Sequence, residues 1–177
     1  MNRSANKKVL RMVDIQTVSI AIASTGVFIA TIYYILQIRH QTKLRQMDLF
    51  MRLYSAFTSK ELTEATLLIS SLEIRSYDDF TEKYGILRAQ EPVWTALHMC
   101  INYLNEVGML LHRGFIDIES VDELFSYRIA FLWEKLKPLI EGWRKQLNPQ
   151  VAEWFEYLYN EMKKREQQLQ QEGVKNG

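Results

Sequence analysis

Uncharged residues run without interruption from Ile15 to Ile38, a stretch of 24 residues bounded by Asp14 and Arg39. Coiled into a helix, the stretch would be about 36 Å long, which exceeds the roughly 30 Å hydrocarbon core of a bilayer. Charged residues are frequent on both sides of it, so the change in character is abrupt. The pattern predicts a transmembrane helix here, preceded by a short basic segment, residues 1–14.

Small and polar residues inside the predicted transmembrane helix recur at alternating spacings of three and four. This is the spacing of a helix that packs along a partner helix, because small side chains let two backbones approach and hydroxyl groups bond across the contact. We therefore expect this face to pack against another copy of the chain or another membrane protein; a chance distribution of small residues is the alternative. The face, called the seam below, consists of Gln16, Ser19, Ala23, Gly26, Ala30, Tyr33 and Gln37, with Thr31 beside it.

A second hypothesis places the polar face of this helix against water. Several copies arranged in a ring would line a narrow ion-conducting pore with Ser19, Thr31 and Gln37. The stretch contains no acidic or basic side chain. Neither a proton relay nor a ring of charges inside the bilayer is therefore indicated.

The same stretch shares some features with a secretory signal, including a basic start and the cleavage-like tripeptide Ala21–Ala23. That tripeptide lies inside the apolar run rather than after it, and no turn residue follows the run, so we expect an uncleaved anchor. Four basic residues lie near each end, and the positive-inside rule does not decide the orientation. Cys100, the single cysteine, cannot form an internal disulfide and favours a reducing compartment. We expect an inner-membrane protein whose carboxyl-terminal domain is cytoplasmic.

Helical periodicity continues beyond the anchor through residues 39–58, which predicts a juxtamembrane helix continuous with it. Helix start and stop signals then follow over residues 59–165, without a convincing strand pattern, and Pro138 predicts a kink or break in one helix. The fold is predicted to be all-α, with a bundle of four to five helices and a polar, disordered tail over residues 166–177. The signals are Ser59, Ser76 and Gly85, Pro92 and Gly114, Asp117, and Asn148 followed by Pro149.

Two stretches of the predicted bundle, "INYLNEVGMLLHRGFIDIESV" and "FLWEKLKPLIEGWR", follow the anchor and the charged juxtamembrane helix. Together these features resemble uncharacterised bacterial and archaeal families of small membrane-anchored helical proteins, of the DUF4760-like kind. The resemblance covers about residues 15–147, and its most characteristic parts are residues 102–117, Trp133 and the pair Trp143–Arg144. Such families have no established activity. The resemblance therefore implies the topology and supplies no catalytic residues.

Charge is unevenly distributed along the chain although the totals nearly cancel, with 22 basic and 21 acidic residues. The first 38 residues hold four basic residues and one acidic residue, which leaves 18 basic and 20 acidic residues for the remainder. A nucleic-acid-binding domain needs a concentrated basic face, and the near-neutral remainder argues against one. Lipid and a protein partner are the expected contacts.

Candidate chemistry is sparse. His98, Asn102 and Glu106 share one face of a predicted helix with Asn105 beside them, but the Glu-x-x-His pairs of bundle metal sites are missing, and this polar face is expected to bond to neighbouring helices or loops. Cys100 lies mid-helix with nothing near it in sequence that would lower its pKa. No catalytic motif was found. We expect no enzyme activity, no metal or cofactor, and no small-molecule substrate.

The segment from Trp133 to Tyr159 contains six aromatic residues, both ends included. Large rings commonly fill the core of a small bundle, and they also dominate the energetically important positions of protein interfaces. The candidates for a protein interface, or for a contact with the membrane surface, are Trp143, Arg144, Trp154 and Tyr157. The predicted function is that of a single-pass scaffold, accessory subunit or sensor that associates through its transmembrane helix.

Overall fold

Six α-helices and no strand make up the part of the chain that the computed structural model describes, residues 3–85 and 92–175, with side chains at 15, 17–85 and 92–171. The all-α prediction is confirmed, with five helices after the long first one. Gln16, predicted for the seam, lies outside the described side chains. The helices are α1 (Arg3–Phe57), α2 (Lys60–Ser71), α3 (Tyr77–Tyr84), α4 (Pro92–His112), α5 (Ile118–Gln146) and α6 (Glu153–Lys175).

The chain divides into two compact units, Met1–Met47 and Asp48–Gly177. Within the described residues, the first unit consists of α1 up to Met47. The second contains α2 to α6 together with residues 48–57, the last turns of α1. Part of the predicted juxtamembrane helix therefore packs as a member of the bundle.

Side-chain caps begin three helices where the sequence predicts them. The hydroxyl oxygens of Ser59 and Ser76 accept hydrogen bonds from the amides three residues on, at 3.2 and 3.1 Å. Asp117 accepts from the Ser120 amide at 2.8 Å, and these amides would otherwise lack an acceptor. Gly114 follows α4 with a φ of 70°, a conformation that glycine adopts without steric cost.

The predicted start of α6 is wrong. Helix α6 begins at Glu153 rather than at Pro149, because the Asn148 side chain accepts from the Gln150 amide at 2.9 Å and forms a turn instead of a helix cap. Of the kink or break predicted at Pro138, the break does not occur. Helix α5 is continuous through this residue, with buried Leu136 and Leu139 holding it to the core on both sides.

Helix α6 also continues to Lys175, through most of the segment predicted as a disordered tail. Glutamate, glutamine and lysine are strong helix formers, and Arg165 ties the helix to α5 by contacts with Asp122 at 3.0 Å and Glu119 at 3.4 Å. In this segment the high helix propensity of the residues outweighs their polarity, which by itself predicts disorder.

The core of the second unit is apolar, and no polar or charged residue among those described is buried in it. Helix α4 packs against α2 and α6, and α5 packs against α3 and α6. Two glycines allow close approach: a Cβ at Gly108 would lie 1.9 Å from the Trp154 carbonyl oxygen, and one at Gly142 would lie 2.1 Å from the Tyr77 Cβ. The largest fully buried side chains include Trp94, Phe80, Phe155, Ile69, Leu97 and Leu104.

The replacement Gly108→Ala tests the close approach of α4 and α6. Because the new methyl group would collide with backbone, we expect the free energy of unfolding to fall by about 1–3 kcal/mol. Denaturant titration of the purified chain, followed by tryptophan fluorescence, measures the change. Gly26→Ala is the matched control, since a Cβ there meets nothing within 4 Å. Equal stability of Gly108→Ala and the parent chain would contradict the packing.

Candidate functional site

The transmembrane prediction corresponds to the segment Thr17–Phe57 of α1, which is the one helix in the described ranges long and apolar enough to cross a membrane. No residue of its most apolar window is buried, so this window is not part of the core of the chain. Side chains such as Ile22 and Phe28 are 68% and 67% exposed. A contiguous apolar surface of this kind marks a membrane or protein contact.

The seam residues with described side chains are exposed along α1. A Cβ on Gly26 would meet nothing within 4 Å, so nothing in the chain occupies the space beside it. The hydroxyl groups of Ser19 and Thr31 donate to the carbonyls of Ile15 and Val27, each at 2.8 Å. Their donors are therefore satisfied within the helix. What they offer a neighbouring helix is small volume and acceptor oxygens.

The last turn of α1 is held by side chains from two other helices of the second unit. The Tyr103 hydroxyl donates to the Leu53 carbonyl, and the Arg128 guanidinium donates to the Phe57 carbonyl at 3.3 Å while lying 4.8 Å from its ring centre. Phe57 also packs edge-on against Phe125, with ring centres 4.3 Å apart. This turn contains no basic residue of its own, so its terminal carbonyl needs a donor from elsewhere.

Tyr103 is suited to this role because it stays protonated. Burial, reinforced by the nearby Glu106 carboxylate, raises the pKa of Tyr103. The hydroxyl therefore remains a donor throughout the physiological range. Neither Tyr103 nor Arg128 was among the predicted functional residues. The sequence feature that could have indicated Tyr103 and Arg128 is the absence of a basic residue at the end of α1.

A side chain from α4 caps the start of α6. The Asn105 side-chain oxygen accepts hydrogen bonds from the amides of Trp154 at 3.0 Å and Phe155 at 3.2 Å. It supplies from a distant helix the cap that α6 lacks locally, since Ala152 precedes the helix with a φ of 56°. The expectation that Asn105 bonds to a neighbouring helix is confirmed.

Arg144 fixes the turn between α5 and α6. Its Nε donates to the Val151 carbonyl at 2.9 Å, and its Nη1 contacts the Glu156 carboxylate at 2.6 Å. Both contacts are partly buried, where a charge-assisted hydrogen bond is stronger than at the surface. Arg144 thus serves the fold at a position predicted as a partner contact.

A cleft of about 350 Å³ opens beside this turn. His98 covers one face of Trp143 there, with ring centres 5.9 Å apart and planes 7° from parallel. The indole N–H of Trp143 is buried and has no acceptor among the described residues. The walls carry amide, imidazole and apolar groups without an acidic residue, lysine or arginine, and include Ile101, Asn102, Leu147 and Val151.

The other predicted partner contacts lie at the far end of α4. Trp154 and Tyr157 are half-buried and flank the exposed His112, with ring centres 4.6 and 5.2 Å from its imidazole. Trp143, by contrast, is buried between Trp94 and His98. Its environment corresponds to the core-packing alternative. The partner-contact prediction continues to apply to the two residues beside His112.

Of the candidates for chemistry, His98 and Asn102 line the cleft and Glu106 does not. His98, Asn102 and Glu106 are exposed on α4, and residues 3–85 and 92–175 contain no group of three His, Cys, Asp or Glu side chains placed to hold a metal. Burial raises the pKa of the Cys100 thiol to about 11, and the Thr66 hydroxyl, 3.8 Å away, only partly offsets this. The protonated thiol is a poor nucleophile.

A family model described as a domain of unknown function, DUF4760, matches residues 20–162. The match includes most of the apolar segment Thr17–Phe57 and continues into α6. No curated protein and no solved structure gave a match.

The replacement Asn105→Ala removes the acceptor for two amides at the start of α6. We expect the free energy of unfolding to fall by about 1–2 kcal/mol, as for the loss of a helix cap. Thermal unfolding followed by circular dichroism measures it. Asn102→Ala is the control, because Asn102 lies one turn away on the same helix and is exposed. Similar losses in both variants would argue against the cap.

Stability should fall as the pH rises above about 9, in part because of Cys100. In the folded chain the Cys100 thiol keeps its proton up to a pKa of about 11, whereas in an unfolded chain the thiol loses its proton nearer to pH 9. The folded state therefore binds more protons between these values, and its stability decreases by ~2–3 kcal/mol across them. Denaturant titrations from pH 7 to 11 should show a shallower decline for Cys100→Ala. Parallel curves would show that the thiol does not contribute.

Proposed function

The chain belongs to the DUF4760 family, a domain of unknown function that supplies no activity, and we propose from its exposed apolar helix α1 that it is a single-pass membrane protein. In this proposal α1 is an uncleaved anchor that self-associates or pairs with another membrane protein. Helices α2 to α6 form a domain that acts as a scaffold, accessory subunit or sensor. The observation that carries the proposal is the complete exposure of the apolar part of α1.

The energetics of α1 support the membrane location. Leaving large apolar side chains in water costs about 25 cal/mol for each Å², and no residue of the chain covers them in the most apolar window of Thr17–Phe57. A bilayer removes this cost. A cleaved signal sequence would also be apolar, but here the helix continues without a turn residue into the charged segment after Arg39.

The chemistry of the second unit supports a non-enzymatic role on the reducing side of the cell membrane. Cys100 is an unpaired, buried thiol, while Asn105 and Arg144 are engaged in holding helices together. The near-neutral charge of this part of the chain disfavours nucleic acid as a partner. The expected partners are lipid, a second copy of the chain or another membrane protein.

Association through the seam has better support than a pore. Gly26 leaves open space on the seam, which allows close approach of a second helix. A pore lined by Ser19, Thr31 and Gln37 requires these side chains to share a face, but at 3.6 residues per turn Thr31 lies about 120° around the helix from the other two. Planar-bilayer recordings of the purified oligomer would distinguish the two hypotheses.

The variant Gly26→Leu/Ala30→Leu tests association through the seam. Two large side chains would keep the helices apart, so we expect the detergent-solubilised chain to shift from oligomer to monomer at micromolar concentration. Sedimentation equilibrium measures the protein mass. Ile32→Leu/Ile35→Leu, which changes the opposite face conservatively, should leave the mass unchanged.

A parent chain that is strictly monomeric at this concentration would remove the association hypothesis. A chain recovered in water without detergent, or shortened after the apolar run, would contradict the anchor itself. These two results are separable because the first uses the intact protein in detergent and the second uses membrane fractionation and intact mass.

A further inference from the structure

An apolar stripe continues along α1 after the uncharged stretch of residues 15–38. Leu44, Met47, Met51 and Tyr54 are spaced by three, four and three residues and are 57%, 61%, 53% and 38% exposed. The face of α1 that packs into the bundle is different, since it contains the buried Leu53 and Phe57. At 3.6 residues per turn, the two faces are about a third of a turn apart. Leu44, Met47 and Met51 therefore lie away from the surface that attaches α1 to its own bundle, whereas Tyr54 lies at the edge of that surface, with its ring centre 6.3 Å from that of Phe125.

The stripe has the same register as the seam. From Gln37, the last seam residue, a step of three reaches His40 and a step of four reaches Leu44. One alternation of three and four thus runs from the first seam residue to Tyr54, with Leu44 and Met51 at heptad position a and Met47 at position d. A straight helix drifts by about 20° in each heptad, so a repeat maintained over this length is typical of helices supercoiled around each other.

Each part of this repeat suits its surroundings. Within the predicted bilayer segment the positions include Ala23, Gly26 and Ala30, which permit close packing where lipid gives no hydrophobic driving force. Beyond Arg39 they are large and apolar, which is favourable where burial removes them from water. Gln37 and His40 form a polar layer between the two parts, and polar residues at such positions specify alignment.

We propose that the partner of α1 is a second copy of this chain, parallel and in register, and that the two form one two-stranded coiled coil from the seam to Tyr54. The proposal rests on the proposed self-association of α1 and adds the partner, its direction and an interface outside the bilayer. Two copies inserted with the same topology are parallel without further constraint.

Charge complementarity supports the parallel arrangement. Lys43 occupies position g, and Asp48 occupies position e of the next heptad. In a parallel pair these two positions face each other across the interface, and symmetry forms the contact twice. Arg52 contacts Asp48 within the same helix through Oδ2 at 2.9 Å, which orients the carboxylate. An antiparallel pair would not bring Lys43 and Asp48 together in this way.

The width of the available surface supports two strands. Larger coiled coils use positions beside a and d as well, whereas a strict a/d stripe is the narrower seam of a pair. Phe50 occupies position g and packs against Phe125 of its own chain, with ring centres 6.2 Å apart. Part of the flank of the stripe is therefore already covered.

Cysteine cross-linking of the full chain in lipid nanodiscs tests the interface. In a Cys100→Ala background, we expect Met47→Cys to form a disulfide-linked dimer with copper phenanthroline, at least fivefold more than the exposed neighbour Gln46→Cys. Ala23→Cys reports separately on the seam within the bilayer. A Met47→Cys yield equal to that of Gln46→Cys, with Ala23→Cys cross-linked, would overturn the extended interface and leave self-association intact. Failure at both positions would overturn both.

Charge reversal tests the direction of the pair. Lys43→Glu and Asp48→Lys should each reduce the Met47→Cys cross-link severalfold, and the double reversal should restore it. Equal yields in all four chains would overturn the parallel contact. The mass of the uncross-linked protein in nanodiscs should correspond to two chains. A trimer or larger assembly would overturn the two-stranded arrangement.

Discussion

The apolar surface of α1 is the constraint on which the rest of the molecule depends. Its most apolar window has no buried residue, and the hydroxyl groups of Ser19, Thr25 and Thr31 donate back to carbonyls of the same helix. These three donors are therefore satisfied within the helix, whereas its apolar surface has no packing partner in the chain. In the proposed membrane location lipid would cover this surface, because a bilayer accepts an apolar helix whose backbone is hydrogen-bonded within itself.

In the second unit, helices begin and end inside a packed structure, where their terminal backbone groups need hydrogen-bond partners. The end of α1 and the start of α6 would leave backbone groups without partners at partly buried positions, and each is satisfied by a side chain from another helix. Asn105 accepts from the first amides of α6, and Arg128 donates to the last carbonyl of α1. These few polar contacts align helices that the apolar core alone would leave free to slide.

Local signals in the sequence were sufficient for the all-α class and for three helix starts, because Ser59, Ser76 and Asp117 cap through bonds to residues three positions away. The start of α6 could not be predicted in this way. Its acceptor is 49 residues away in sequence, and Asn148 carries the local signature of a cap while forming a turn. The same limitation applies to Trp143 and Arg144, whose roles depend on the cleft and turn that form around them. For the seam, periodicity identified the face, whereas the internal bonding of its hydroxyl groups required atomic positions.

The attachment of α1 to the bundle uses the carbonyl oxygens of Leu53 and Phe57 as acceptors. Carbonyl groups belong to every amino acid, so these two bonds do not depend on which side chain occupies either position. Substitutions on the exposed side of this helix would leave both acceptors in place. The two hydrogen bonds are therefore insensitive to side-chain identity, whereas the packing of the Phe57 ring against Arg128 and Phe125 fixes which residue that position can hold.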